Sequence, residues 1–128
     1  MENRKAGMSK FQFILTKIIG TELYNIRKFK GISGEILAKK LKVSQQQVSR
    51  YERGESSINC VNLFLILFYL ETSPQKFLKS ISLKIKELYP EFIIYIHEID
   101  DICTDKTDND YLKHFDSEVI VNYTIKNK

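Results

Sequence analysis

The feature that most constrains this chain is the stretch from Ile32 to Gly54, ISGEILAKKLKVSQQQVSRYERG. Its pattern predicts two short helices joined by a tight turn at residues 41–43. Ser33 is placed to cap the start of the first helix through its hydroxyl. The apolar residues of that helix recur at helical spacing and predict its buried side, which is formed by Leu37, Ala38 and Leu41. The alanine is small, as the close approach of two steeply crossing helices requires.

The second helix of this stretch has a start signal and a stop signal of its own. Ser44 can cap its first turn, and Gln47 stands three residues later, where it completes a capping box. Val48 and Tyr51 then face inward, and Gly54 ends the helix. Two helices arranged in this way form a helix-turn-helix, a motif whose second helix lies in the major groove of DNA.

The same residues carry a resemblance to a known family. The run LAKKLKVSQQQVSRYERG is similar to the signature of the phage-repressor-like (Cro/repressor, or XRE) DNA-binding domains. Upstream, IGTELYNIRKFKGIS resembles that family's first helix, and downstream, INCVNLFLILFYLETSPQKFL resembles its fourth and fifth. The likeness covers roughly residues 18–78, about half of the chain. A narrower likeness, based on SQQQVSRYERG and on the chain length, is to regulators encoded with fimbrial operons in enteric bacteria.

Three positions depart from the family's pattern. The family commonly has Gln where this chain has Gly34, so one side chain that helps to hold a DNA phosphate is missing, and glycine weakens the helix start. The turn usually carries Gly where this chain has Lys42, and a left-handed lysine there costs on the order of 1 kcal/mol. The loop before the fourth helix usually has Pro where this chain has Ile58.

The predicted fold class is mainly α: a five-helix phage-repressor-like DNA-binding domain with a C-terminal extension that contains a helix and a possible short strand. We expect the DNA-binding domain at residues 9–79 and the extension, with a role in oligomerisation, at residues 80–128. Residues 1–8 are expected to be a flexible basic arm. The first helix is expected to run from Ser9 to about Phe29, with Gly20 tolerated inside it at a slight cost.

The distribution of charge agrees with this division. The net charge is +4, but residues 1–54 carry +8 and residues 55–128 carry −4. The basic half, which contains the helix-turn-helix, is suited to bind a polyanion, and the acidic half after it is suited to a different role.

The resemblance also implies a structural ion pair. In the family, an arginine near the end of the first helix pairs with a glutamate near the end of the recognition helix, and Arg27 and Glu52 match those positions. A bidentate pair of this kind would fix the angle of the recognition helix.

Few side chains of the recognition helix are left to contact bases. Once the caps and the inward-facing residues are set aside, the groove-facing positions are Gln45, Gln46, Ser49 and Arg50. Glutamine bonds bidentately to adenine and arginine to guanine. Arg50 lies four residues beyond Gln46 and therefore on the same face. We expect these four residues to contact bases, with the short Ser49 also able to reach a phosphate.

Phosphate contacts are expected from the edges of the motif and from the loop that follows it. These contacts can come from lysines on the outer side of the first motif helix, from the residues at both ends of the recognition helix and from the polar loop before the fourth helix. The predicted set is Lys39, Lys40, Ser44, Arg53, Ser56, Ser57 and Asn59.

The predicted fourth helix, about Cys60 to Glu71, is apolar nearly all round. The family pattern turns inward Leu63, Ile66, Leu67 and Leu70. A second apolar side then remains, and it must also be covered, either by the extension or by a second copy of the chain. The expected contact residues on that side are Phe64, Leu65, Phe68 and Tyr69.

The sequence of the extension is compatible with more than one secondary structure. Ser73 and Pro74 predict the start of a helix that continues towards Tyr89, although residues 81–85 also suit a strand. Pro90 is expected to open a further helix. Residues 118–125, EVIVNYTI, alternate and are rich in β-branched residues, so they predict a strand that pairs within the chain or across a dimer.

The sequence argues against several other functions. The acidic stretch DDICTDKTDND lacks the glycine and final glutamate of a calcium loop. Cys60 and Cys103, and likewise His97 and His114, have no ligand-like partners at useful spacing, so no metal, cofactor or disulfide is expected. There is no nucleophile–base set, so we expect no enzyme. No segment has the apolar length of a membrane helix, and the basic N-terminus lacks the apolar core and the cleavage site of a signal peptide, which predicts a cytoplasmic protein.

These observations predict a sequence-specific DNA-binding transcriptional regulator whose helix 45–53 enters the major groove of double-stranded DNA. We expect a homodimer on an inverted repeat, with no small-molecule ligand evident and no membrane contact. The main alternative is an antitoxin, which would use the same fold on its operator and its C-terminal part to contact a toxin. A second alternative is a protein-interaction module without DNA binding, against which the exposed glutamines and Arg50 argue.

Overall fold

Five α-helices and one short 3₁₀ turn make up residues 2–92, the part of the chain that this computed structural model describes. In chain order they are α1 (Glu2–Phe29), α2 (Gly34–Leu41), α3 (Gln45–Glu52), α4 (Cys60–Tyr69), α5 (Pro74–Leu88) and the 3₁₀ turn Pro90–Phe92. No strand occurs within this range. The predicted fold class, a mainly α five-helix domain, is confirmed.

Polar side chains fix the starts of four helices. The hydroxyls of Ser33 and Ser44 each accept a 3.1 Å hydrogen bond from the backbone N–H three residues later, as predicted. Asn59 caps α4 in the same way at 2.7 Å, and Ser73 caps α5, which begins at Pro74. The boundaries of the helix-turn-helix are therefore set locally by the sequence.

A left-handed residue follows each of the first four helices. Gly31 and Gly54 have φ values of 69° and 67°, and Lys42, at φ 57° and ψ 41°, takes the left-handed conformation that glycine commonly supplies. The reversal lets the N–H of Val43 reach the Ala38 carbonyl at 3.1 Å. At Glu71 φ is 50°, so α4 ends at Tyr69 rather than at Glu71.

The core lies between the apolar sides of the five helices: α2 packs against α3 and α4, and α1 packs against α3 and α5. Its most deeply buried members are Leu23, Ile66, Leu67, Leu70 and Phe77. The predicted inward residues Leu37, Ala38, Val48 and Tyr51 are buried, while Leu41 and Leu63 are only partly covered. Between α1 and α5, Glu22 accepts hydrogen bonds from Ser80 and Lys84 and closes one edge of the core.

Gly20 has a larger role than the sequence indicated. A Cβ at this position would lie 2.3 Å from the carbonyl oxygen of Tyr51 and 2.8 Å from that of Glu52. Real Cβ atoms do not approach backbone so closely, so α1 can pass over the end of α3 only because this residue is glycine.

One expectation at the start of the described range is corrected, and one alternative at its end is decided. The helix expected from Ser9 begins at Glu2, so residues 2–8 are helical rather than a flexible arm. The helix expected from Pro74 towards Tyr89 is observed as α5, and residues 81–85, which also suited a strand, lie inside it; Ile81 and Ile85, one turn apart, are both buried in the domain.

The boundary expected between residues 79 and 80 falls inside α5. Pro90 opens a 3₁₀ turn, and Phe92 at its end packs on Phe11 with 5.0 Å between ring centroids. The expectations for the rest of the extension, including the strand at residues 118–125, His97, Cys103 and His114, lie outside the described residues.

Candidate nucleic-acid interface

The recognition helix α3 is fixed to α1 by a bidentate ion pair. Arg27 donates from Nε to Glu52 Oε1 at 2.5 Å and from Nη2 to Glu52 Oε2 at 2.9 Å, and its Nη1 donates to the Ile32 carbonyl at 2.8 Å. The two side chains are only 8% and 10% exposed. The hydrogen bonds to Glu52 raise the pKa of Arg27 above its usual value.

The Arg27–Glu52 ion pair holds the C-terminal end of α3, and apolar contacts hold the middle of this helix. Val48 and Tyr51 turn towards the core, where they are 2% and 9% exposed. The Tyr51 hydroxyl accepts a hydrogen bond from the side-chain amide of Asn62 on α4, at 3.4 Å. The orientation of α3 is therefore set from α1 and α4 together.

The outer side of α3 contains the predicted base-contacting residues. Gln45, Gln46 and Arg50 are exposed, and Ser49 is partly covered. Among the side chains that the structure describes, no carboxylate lies within ion-pair distance of Arg50. Gln46 and Arg50 therefore stand in solvent on one face of a rigid helix, free to bond with a ligand.

Gln47 departs from its predicted role. Its backbone N–H completes the cap of Ser44, but its side-chain amide donates to Ser56 Oγ at 3.3 Å instead of returning to the cap. The sequence did not indicate this bond, which ties α3 to the loop that follows it. Ser56 is thus engaged within the domain.

The other predicted phosphate contacts surround α3, and several already have partners. Lys39 lies 3.5 Å from Glu35 and Arg53 lies 3.5 Å from Glu55, in exposed pairs that contribute little to stability. The Lys40 ammonium stands 5.2 Å from the centroid of the Tyr69 ring. Three further members are exposed, two of which cap helices: Ser44, Ser57 and Asn59.

A second surface, the outer face of α4, is apolar. Phe64 is 52% exposed, Phe68 is 74% exposed, and Leu65 is also exposed, as the sequence predicted. Tyr69, expected with them, is partly covered and faces Lys40 instead. An open groove of about 510 Å³ is lined by Cys60, Val61, Phe64, Leu65 and Phe68. The prediction did not include Cys60 and Val61, because it assigned the outer side of α4 from the family pattern for the middle of that helix.

Residues 2–92 contain no group of three or more side chains suited to bind a metal ion. None of the helices in this range combines the length and the apolar character needed to span a membrane.

Comparison with known proteins agrees with the geometry. A family model described as helix-turn-helix matches residues 23–77. No curated protein matches the chain by sequence. The crystal structure of the wild-type restriction-modification controller protein C.Esp1396I is 28% identical, with a TM-score of 0.52, over 56% of this chain and 93% of that one.

A second solved structure is similar in fold. The clp gene regulator ClgR from Corynebacterium glutamicum has a TM-score of 0.51 at 24% identity, over 67% of this chain and 93% of its own. The family match, the capped helix pair and the Arg27–Glu52 bond all fall in the same segment. Residues 23–77 are therefore a helix-turn-helix domain of the Cro/repressor (XRE) type, the type found in DNA-binding transcriptional regulators.

Proposed function

We propose that the protein is a sequence-specific transcriptional regulator that places α3 in the major groove of DNA. One observation carries the proposal: α3 is fixed on its inner side by buried contacts, and its outer side presents Gln46 and Arg50 to solvent. A rigid helix with exposed bidentate hydrogen-bonding groups is what direct readout of base edges requires. The likeness to a restriction-modification controller protein supports the same conclusion.

Gln46 and Arg50 are the residues proposed to determine sequence preference. They lie four residues apart on one helical face, so they would meet neighbouring base pairs. Gln45 and Ser49 are proposed to contact bases or the adjoining sugar–phosphate backbone. Lys39, Lys40 and Arg53 would then supply charge to the backbone on either side, exchanging their weak exposed contacts for phosphate groups.

Selection of bound sequences from a random DNA library tests this proposal. The wild-type chain should enrich one defined motif, and Gln46→Ala and Arg50→Ala should each relax the preference at particular base pairs. Each loss should cost about 1–3 kcal/mol on the selected site. Lys76→Ala serves as the control, because Lys76 is exposed at the start of α5 and lies outside the proposed interface. No enrichment, or an unchanged motif with the Gln46→Ala/Arg50→Ala double variant, would contradict the proposal.

The protein is further proposed to act as a dimer on an inverted repeat. A single domain of this size contacts few base pairs, and specific operators are usually read by two. The outer face of α4 is the surface proposed to be covered in that dimer, because burying each of its large apolar side chains is worth roughly 1.5–3 kcal/mol. Within residues 2–92, α5 packs against α1 and leaves this face open. The face would thus be covered by a second copy, by residues 93–128 or by both.

Sedimentation of the full chain tests the assembly. The wild-type protein should be dimeric at tens of micromolar, and Phe68→Glu should weaken the dimer by at least tenfold. Leu83→Glu is the matched control, because Leu83 is also exposed but lies on α5. A wild-type chain that stays monomeric on and off DNA contradicts the dimer, and equal effects of the two variants contradict the proposed surface.

A further inference from the structure

One turn of α1, residues 17–20, lies directly against the C-terminal end of α3. A Cβ at Gly20 would lie 2.3 Å from the carbonyl oxygen of Tyr51. On the other side of the contact, a Cβ at Gly54 would lie 2.8 Å from the Cα of Lys17. Because neither glycine has room for a side chain, the backbone of α1 meets the backbone at the end of α3 without side chains between them.

The ammonium of Lys17 binds this end of α3. Its Nζ donates a 2.8 Å hydrogen bond to the carbonyl oxygen of Arg53, the residue that caps the C-terminus of α3. The last carbonyls of a helix have no partner within the helix and form the negative end of its dipole, so a cation stabilises them. Among the side chains that the structure describes, no carboxylate lies within ion-pair distance of Lys17. The charge of Lys17 is therefore directed to the helix end.

Phe13 limits the positions that this lysine side chain can take. Its ring lies one turn earlier on α1, and the ring centroid is 5.5 Å from Lys17 Nζ, within cation–π distance. Phe13 is 62% exposed, so it adds little to the core of the domain. The ammonium of Lys17 is thus held between an aromatic ring and a carbonyl oxygen.

The hydrogen bond from Lys17 lies where α3 passes into the loop before α4. Beyond this point an open cleft of about 260 Å³ separates α1 from the loop, and its walls include Phe13 and Ser57. The position of the loop relative to α1 therefore depends on the contacts of its first residues. Arg53 and Ser57, both proposed to contact DNA phosphates, lie at the bond and just beyond it.

We propose that Lys17 is a positioning residue for DNA binding. Its hydrogen bond to the Arg53 carbonyl fixes the backbone from which the Arg53 guanidinium extends towards the DNA backbone. A group that is already held near its bound position loses less conformational entropy on binding. Lys17 acts through Arg53 and does not itself contact DNA. The inference rests on the proposed function, and it gives a role to Lys17 and Phe13, to which the sequence assigned none.

The affinity of the full chain for the DNA motif that it selects tests this proposal. Lys17→Met keeps the unbranched stem of the side chain and removes the donor with its charge. It should weaken binding about fivefold, which corresponds to one hydrogen bond. Lys17→Arg keeps a charged donor and should bind within about twofold of the wild type.

Lys10→Met is the matched control for charge. Lys10 is also exposed and lies two turns earlier on α1, so the variant removes the same charge from the same helix. At physiological salt its effect on DNA affinity should stay below about twofold. If Lys10→Met and Lys17→Met weaken binding equally, the charge alone is responsible and the positioning role is wrong.

A double-mutant cycle with Arg53 distinguishes positioning from a direct contact between Lys17 and DNA. Arg53→Ala keeps the carbonyl that Lys17 binds and removes the side chain that it positions. In the Arg53→Ala background, Lys17→Met should therefore weaken binding less than about twofold. An equal loss in both backgrounds would overturn the positioning role and leave the proposed function standing. A wild-type chain that selects no DNA motif would overturn the proposed function itself.

Nuclear magnetic resonance of the full chain without DNA tests the hydrogen bond directly. The Arg53 carbonyl and the Gly54 N–H belong to one peptide group, so loss of a hydrogen bond at the oxygen changes the amide nitrogen resonance of Gly54. Lys17→Met should move this resonance, Lys17→Arg should move it less, and Lys10→Met should leave it unchanged. The same Gly54 resonance in the wild type and in Lys17→Met would overturn the bond and the proposal with it.

Phe13→Ala supplies a second variant, which uncovers the ammonium of Lys17 without removing it. It should move the Gly54 resonance in the same direction as Lys17→Met, by a smaller amount. Thermal unfolding confirms that each variant is folded at the temperature of measurement, and Phe13→Ala replaces Lys17→Met in the comparison if the latter is unfolded. A Gly54 resonance that Phe13→Ala leaves unmoved would then contradict the proposal.

Discussion

The Arg27–Glu52 pair is expected to make the largest single polar contribution to the position of α3. Replacing Glu52 by Gln leaves a guanidinium that is buried, charged and without its carboxylate. Replacing Arg27 by Met leaves a buried carboxylate and also removes the donor to the Ile32 carbonyl. Because both side chains are about nine-tenths buried, each single change should lower the free energy of unfolding by about 3–5 kcal/mol.

The double-mutant cycle measures whether the two residues act together. Arg27→Met/Glu52→Gln should be less destabilising than the sum of the single changes by about 2–3 kcal/mol, since no unpaired charge remains. Urea unfolding of the full chain, followed by circular dichroism, supplies all four free energies. The exposed Glu35–Lys39 pair, whose side chains are 65% and 77% exposed, is the control, and its coupling should stay below about 0.5 kcal/mol. Strict additivity for Arg27 and Glu52 would refute the reasoning.

Two further predictions concern the backbone. Gly20→Ala should destabilise the domain by about 2–3 kcal/mol in thermal or urea unfolding, because its Cβ would overlap the carbonyl oxygens of Tyr51 and Glu52. Gly34→Ala should be neutral or slightly stabilising, and equal effects of the two variants would contradict the close approach of α1 and α3. Lys42→Gly should stabilise the domain by roughly 0.5 kcal/mol, because it relieves a left-handed lysine at the cost of a more flexible unfolded chain, and a destabilised variant would show that the lysine makes compensating contacts.

The features that the sequence predicted are those determined by local chemistry. Ser33 and Ser44 cap helices because a hydroxyl at that position always has an N–H within reach, and Lys42 is left-handed because the chain must reverse there. The outer side of α4 followed from the resemblance to the family, whose pattern turns the opposite side of this helix inward. The caps and the turn depend on residues within about one turn of one another.

The features that the sequence did not predict depend on the approach of distant segments. The contact of Gly20 with the end of α3 joins residues about thirty positions apart, and a glycine within a helix gives no sign of what passes over it. The side chain of Gln47 bonds to Ser56, in the loop after α3, instead of returning to Ser44 as a capping box would require.

The most direct test of the central claim, that α3 reads base edges in the major groove, pairs a change in the protein with a change of one atom in the DNA. At each guanine of the selected motif, 7-deazaguanine removes the N7 acceptor that arginine would bind and leaves base pairing intact. At one guanine, this substitution should weaken wild-type binding by about 1 kcal/mol or more and should have no further effect on the binding of Arg50→Ala. If every guanine tolerates the substitution, or if the wild type and Arg50→Ala lose affinity equally at each one, Arg50 does not contact guanine in the major groove.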